Sequence, residues 1–256
     1  MIQRVGPNAE KEAPLTAQPQ PETTIAFVLY PGLTPLDLIG PLQVFTTLGT
    51  YSQLGLPVPP TRTVVVGERI EPMDSDTPVK LTPSATFDQL PNPDIVIVPG
   101  GGMPTVRAAG NDAILDYVRS AAETAQVCAS VCTGALILAS AGLLEGRPAT
   151  THWAYWRLLE RLGARYVPEQ RWVEDGKFIT SAGVSAGIDM ALYLVERLTD
   201  EGTARMVQLG IEYDPKPPHG GIQWRDVDRD IYAPVIAQQL PATLADKPEL
   251  LARLTG

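Results

Sequence analysis

The stretch that decides the fold is Gln126–Ala141, QVCASVCTGALILASA. Gln126–Val131 reads as a short buried strand, and it runs without a polar break into Thr133–Ala141, a helical segment that is apolar on every side. Such a helix belongs inside the protein. A buried strand feeding directly into a buried helix is the repeating unit of an α/β sheet. At the junction stands Ser130-Val131-Cys132-Thr133-Gly134. A nucleophile on a sharp strand-to-helix turn needs small residues two places before and after it, because the two backbones nearly touch there. Ser130 and Gly134 fill those places. A thiol at a helix N-terminus also sits in the positive end of the helix dipole, which favours thiolate and predicts a lowered pKa for Cys132. The competing reading is a buried structural thiol, the common fate of a free cysteine; the flanking pattern favours the nucleophile.

Outward from the junction, Thr24–Tyr30 is an apolar strand stopped by Pro31-Gly32, Arg62–Val66 is a second, and Asp94–Val98 is a third, ended by Pro99-Gly100-Gly101-Gly102. Leu38, Leu42, Phe45 and Leu48 give helical spacing over Leu36–Leu48. Ile114, Tyr117, Val118, Ala121, Ala122 and Ala125 form the stripe of a second helix, which Asn111 or Asp112 can cap. Further on, Trp153–Leu162 reads as a helix, Trp172–Asp175 and Lys177–Ser181 as a hairpin around Gly176, and Ser185–Leu198 and about Glu201–Tyr213 as two more helices. Pro215, Pro217 and Pro218 forbid regular structure. The expected architecture is one α/β domain, a doubly wound, mostly parallel sheet with helices on both faces. It spans 23–214, between a Pro-rich flexible leader (1–22) and a polar, weakly periodic tail (215–256) that wraps the domain or a partner subunit.

Length and composition agree. At roughly 150 residues per domain, 256 residues suit one or two domains, and 44% apolar against 19% charged residues excludes a disordered chain. The net charge of −9 without a Lys/Arg run argues against nucleic acid as a partner. No apolar stretch approaches the ~20 residues of a membrane span, and no signal-peptide pattern opens the chain. Cys128 and Cys132, on one strand, would lie roughly 13 Å apart, too far for a disulfide, so a reducing, cytoplasmic setting is expected. No phosphate- or dinucleotide-binding glycine motif and no zinc spacing occurs, so neither cofactor nor metal is expected.

Four other places bear on chemistry. Gly101 and Gly102 end a strand where a doubly wound sheet binds ligands, and the N–H of Gly101, with that of Thr133 or Gly134, can face a developing anion; a plain tight turn explains the glycines equally well. Asp37, in Pro35-Leu36-Asp37-Leu38, reads either as a helix cap or as a general acid/base beside the thiol, with Leu36, Leu38 and Ile39 shielding it and favouring its protonated form. His152, in Thr150-Thr151-His152-Trp153, reads as a partner for the thiol or, slightly favoured, as a supporting residue while Thr151 caps the next helix. His219 reads as a surface residue.

The chain resembles the ThiJ/PfpI superfamily, and within it the bacterial isonitrile hydratase branch. The resemblance rests on Leu36-Asp37-Leu38-Ile39-Gly40-Pro41, Ile95-Val96-Ile97-Val98-Pro99-Gly100-Gly101, Ser130-Val131-Cys132-Thr133-Gly134, Ala149-Thr150-Thr151-His152-Trp153 and Ala186-Gly187-Ile188-Asp189. It covers roughly 24–218. It implies a flavodoxin-like, class I glutamine-amidotransferase-like fold and a homodimer. It also implies a nucleophilic Cys132 with Thr133 beside it, and an acidic residue at Asp37, where most of the superfamily has Glu. The implied reaction is addition of water to an isonitrile, giving an N-substituted formamide through a cysteine thioimidate, with Asp37 in its acid form as proton donor. A glyoxalase-type enzyme or peptidase of the superfamily and a redox or ligand sensor are the alternatives. A regulator of the AraC type is disfavoured because only some forty acidic, Pro-broken residues follow Tyr213. Val184 near the site, Trp156, Trp172 and Ile222–Arg229 depart from the hydratase pattern and bear on substrate size.

Overall fold

A computed structural model describes residues 21–256; the leader expected at 1–22 lies, up to residue 20, outside the described residues. Strand β1 (Thr23–Val28) is followed by α1 (Pro35–Gln53), β2 (Thr61–Gly67), β3 (Met73–Asp74), β4 (Lys80–Leu81), β5 (Ala85–Thr86) and β6 (Ile95–Val98). The middle of the chain forms α2 (Met103–Ala108), α3 (Asp112–Thr124), β7 (Val127–Ser130), α4 (Gly134–Ser140), β8 (Pro148–Ala149), α5 (Trp156–Arg161) and β9 (Arg165–Tyr166). The last elements are β10 (Trp172–Asp175), β11 (Phe178–Ser181), α6 (Ala186–Leu198), α7 (Glu201–Gly210), α8 (Ala233–Thr243) and α9 (Pro248–Thr255).

Seven strands form the central sheet in the order β10-β11-β7-β6-β1-β2-β5. All pairs are parallel except the β10–β11 hairpin. Every residue of β6 and β7 is buried, as a strand covered by helices on both faces requires. Helices α1, α6 and α7 pack together on one face, and α2, α3, α4 and α5 on the other. Helix α4 is the enclosed one, buried from Gly134 to Ala139. The mostly parallel, doubly wound single domain is therefore as its sequence predicts.

Chain direction across the sheet reverses at β1, which pairs with β2 on one side and β6 on the other. In open α/β sheets the crevice at the carboxyl ends of such strands takes the ligand. Register sharpens that placement. Val98, Ser130 and Thr180 stand in one row across β6, β7 and β11, so the three loops after them leave the sheet at one level.

Some elements differ from expectation. The helix over Trp153–Leu162 is a 3-10 turn (Trp153–Tyr155) followed by α5, and α7 stops at Gly210. The tail is more ordered than its weak periodicity suggests. Pro234 sits in the first turn of α8, where no N–H is needed, and Pro241 falls near its end. Helices α8 and α9 pack against α2 and α5, with Ile236, Leu240, Leu244 and Leu254 buried. Arg107 grips Asp246, and Arg253 donates to the carbonyl of Leu162 at 2.9 Å. Among the described residues no helix is long and apolar enough to cross a membrane.

Candidate active site

Cys132 lies on the turn from β7 to α4 with φ 56°, a left-handed conformation that costs a non-glycine residue on the order of 1–3 kcal/mol. Surrounding bonds hold it there. Its N–H is shared between the carbonyls of Ser181 and Ala182, each at 3.2 Å. Its carbonyl accepts the Thr151 hydroxyl at 3.0 Å. The elbow needs glycine two residues on: a Cβ at Gly134 would stand 2.0 Å from the Val98 carbonyl oxygen. Ser130, two residues before, is buried in β7, and its hydroxyl has no hydrogen-bond partner.

Asp37 arrives from the first turn of α1 and is completely buried. It does not cap its own helix. The N-cap of α1 is Thr34, and Asp37 Oδ2 instead accepts the N–H of Gly100 at 3.0 Å from the loop after β6. Oδ1 has no conventional hydrogen-bond partner, and the side chain that the carboxyl meets is the thiol of Cys132. Burial raises this carboxyl from its ordinary 3.8 to about 7, against the opposing pull of the thiol and the Gly100 N–H.

The thiol departs from expectation. Burial pushes it up, and the facing Asp37 carboxyl adds to the rise. The N–H groups of Val184 and Thr133 donate toward the sulfur and pull the other way. Helix α4 is only seven residues long, and Cys132 is 4% exposed, so desolvation outweighs the dipole. The resting sulfur is therefore a protonated thiol beside a carboxyl raised to about 7, not a free thiolate.

The glycine loop is committed elsewhere than expected. The N–H groups of Gly101 and Gly102 both donate to Thr133 Oγ1, at 3.0 and 3.1 Å, and the Gly134 N–H donates to the Val131 carbonyl. None of these three amides is free to face an anion. The donors that do face the sulfur belong to Thr133 and Val184. Val184 adopts φ 43°, a strained conformation for a β-branched residue that aims its N–H at the thiol. His152 is not among the groups meeting the sulfur. Its Nδ1 accepts the Ala154 N–H at 3.3 Å, so the imidazole is the cap, and Thr151, expected to be the cap, anchors the elbow. Burial lowers the His152 pKa and keeps the ring neutral.

Several positioning residues carry no sequence signal of their own. With both lone pairs of Thr133 Oγ1 taken by amides, its proton points to Thr105 Oγ1, 2.9 Å away. Thr105 lies 2.9 Å from the Tyr30 hydroxyl, which donates to the Pro99 carbonyl at 2.7 Å. This buried chain ties the elbow to the ends of β1 and β6. Thr133→Val leaves two amides without acceptors, and urea unfolding should show a loss of about 2–3 kcal/mol.

Beside the elbow is a cavity of about 200 Å³. Its wall includes Thr151, His152, Ala182 and Val184, and the tail contributes Ile222, Trp224 and Arg229. Among the described residues no group of three or more His, Cys, Asp or Glu side chains is placed to hold a metal ion.

A model of the DJ-1/PfpI family matches residues 23–197. The chain is 42% identical over 195 residues to the isonitrile hydratase of Pseudomonas putida, covering 76% of this chain and 80% of that one. It is 32% identical over 120 residues to the HTH-type transcriptional regulator GbdR of Pseudomonas aeruginosa, which is 46% of this chain but 32% of the regulator. The crystal structure of a ThiJ/PfpI family protein from Pseudomonas syringae superposes with a TM-score of 0.76 at 31% identity, over 93% of both chains.

Proposed function

The chain belongs to the DJ-1/PfpI family, and on that premise we propose that it hydrates isonitriles to N-substituted formamides with Cys132 as nucleophile and Asp37 as proton carrier. The observation that carries this reading is the buried Asp37 carboxyl, one oxygen fixed by Gly100 and the other unpartnered, set against the thiol. The similarity to an isonitrile hydratase supports the same substrate class. A nearly covered sulfur suits a slim, linear, uncharged electrophile, and an isonitrile presents its reactive carbon at its tip.

In the first step the sulfur bonds to the terminal carbon of R–N≡C. The thiol proton passes to Asp37 and from Asp37 to that carbon, giving the thioimidate R–N=CH–S–Cys132. In the second step Asp37 takes a proton from water as the water oxygen adds to the carbon and passes that proton to the nitrogen, giving R–NH–CH(OH)–S–Cys132. Collapse forms the carbonyl and breaks the C–S bond, the hydroxyl proton passes through Asp37 to sulfur, and R–NH–CHO is released. Dividing one hard addition into two is the advantage of the covalent route. The N–H groups of Thr133 and Val184 favour the sulfur's negative charge as it forms and leaves.

The reactive state is the pair with one proton shared between carboxyl and sulfur, and the value near 7 belongs to loss of the other. Consequently kcat/KM should rise with pH through about 7 and level off above it. A profile that falls above pH 7 contradicts the assignment. Turnover of aliphatic and aromatic isonitriles, followed as formamide by NMR beside a methylglyoxal control, tests the function. Formamide from the isonitriles supports it, and methylglyoxal conversion without formamide overturns it.

We also infer that two copies associate. Leu36 and Ile39, 46% and 42% exposed, flank Asp37 on the surface of α1 and offer an apolar face next to the site. Sedimentation velocity should give the mass of a dimer; a monomer at micromolar concentration contradicts this.

A further inference from the structure

The segment from Ile222 to Tyr232 crosses the outer face of the cavity next to the elbow. Three contacts hold it. Arg229 bonds Glu169 at 2.7 Å, Arg157 forks onto Asp230 at 2.8 and 2.7 Å, and the rings of Tyr232 and Trp153 lie 5.4 Å apart. Residues 222–232 fall outside the stretch matched by the family model, 23–197.

From this arrangement we propose that the 222–232 segment completes a pocket for a flat aromatic substituent on the substrate, with Trp224 as its specificity-determining residue. The proposal rests on the isonitrile reading and extends it to the identity of R. Trp224 comes from this segment, and Trp153 and Tyr166 line the same cavity from the domain. Aromatic rings recognise one another by stacked or edge-on packing beyond simple burial. A volume of about 150 Å³ is enough to hold a benzene ring, and this cavity is about 200 Å³. The charged groups at its edge are already paired: Arg229 with Glu169, and Arg171 with Asp189. They offer no free charge to an anionic substituent. The floor is formed by the residues that hold the nucleophile. Val184 donates to the sulfur, Ala182 accepts from the Cys132 N–H, and Thr151 grips the Cys132 carbonyl. Val184 therefore both lines the cavity and donates to the sulfur, which places a ring seated here next to the residue that meets the nucleophile.

The test uses the full chain with Trp224→Ala and Trp224→Phe. The ratio of kcat/KM for 4-nitrophenyl isocyanide to that for methyl isocyanide should fall about tenfold in Trp224→Ala and stay within about threefold in Trp224→Phe. An unchanged ratio in Trp224→Ala, or an equal fall in Trp224→Phe, overturns the proposal. Calorimetric titration of N-(4-nitrophenyl)formamide into Cys132→Ala protein, with and without Trp224→Ala, reads the pocket without turnover. Weaker binding by about tenfold in the double variant supports the pocket even where no isonitrile is hydrated, a result that overturns the hydratase reading alone. Equal binding, or none to Cys132→Ala, overturns the pocket.

Discussion

Asp37→Asn should lower kcat/KM for an aryl isonitrile by about 10²–10⁴-fold and, above pH 7, make the protein more stable. The two effects share one cause. Asn keeps an oxygen for the Gly100 N–H, as Oδ2 does now, but has no proton to carry between sulfur and carbon. The stability effect follows from the raised carboxyl. Unfolded, the group titrates near 3.8; folded, near 7. The native state therefore holds a proton that the unfolded chain releases, and the stability linked to it is complete below about pH 4 and lost as the pH climbs through 7. At pH 8 the folded protein carries the full cost of a buried carboxylate, at most about 4 kcal/mol. Asn carries none of it. Urea midpoints of both proteins from pH 4 to 9 should diverge as pH rises, with the variant higher. A variant that loses activity and is also less stable at pH 8 has been damaged in its fold, and the proton-carrier role then loses its support.

The second large effect is structural. Gly134→Ala puts a methyl group 2.0 Å from the Val98 carbonyl oxygen and 2.9 Å from that of Pro99. Both are backbone atoms at the end of a fully buried strand, so relief requires α4 to move away from β6. Helix α4 is enclosed by other helices and has no room to yield. The expected loss exceeds about 4 kcal/mol, in the range reserved for overpacked cores and broken buried networks. Gly221→Ala is the matched control, because its methyl meets open space; it should stay within about 0.5 kcal/mol. Denaturation midpoints for the two variants, measured together, decide the point. A Gly134→Ala protein as stable as the control contradicts the close approach on which the elbow depends.

Where sequence patterning is strong, the structure follows it. The run from Val127 into Ala139 specifies strand, elbow and enclosed helix, and the fully apolar β6 specifies a central parallel strand. Cys132 at the turn was legible from the small residues around it, whereas Asp37 was not fixed by spacing, which left it a helix cap or an acid. Of the neighbours expected to shield it, only Leu38 is buried, Leu36 and Ile39 being 46% and 42% exposed. Partner choice among polar groups was not legible. That Thr133 consumes the Gly101 and Gly102 amides depends on the register of β6 against β7, which no local spacing encodes. Thr105 and Tyr30 join the site through the same tertiary placement. The direction of the thiol shift also escaped, because a dipole is visible in a helix start while desolvation is visible only once the chain has closed over the sulfur. The tail helices were hidden by Pro241 and by stripes too short to register.

The most direct test compares wild type and Cys132→Ala with 4-nitrophenyl isocyanide, following N-(4-nitrophenyl)formamide by NMR. Removing one sulfur atom from a buried position leaves the fold standing and the Asp37 carboxyl in place. Wild-type protein should accumulate the formamide and the variant none above the uncatalysed rate. Formamide production by Cys132→Ala at the wild-type rate contradicts a carbon–sulfur bond on the reaction path.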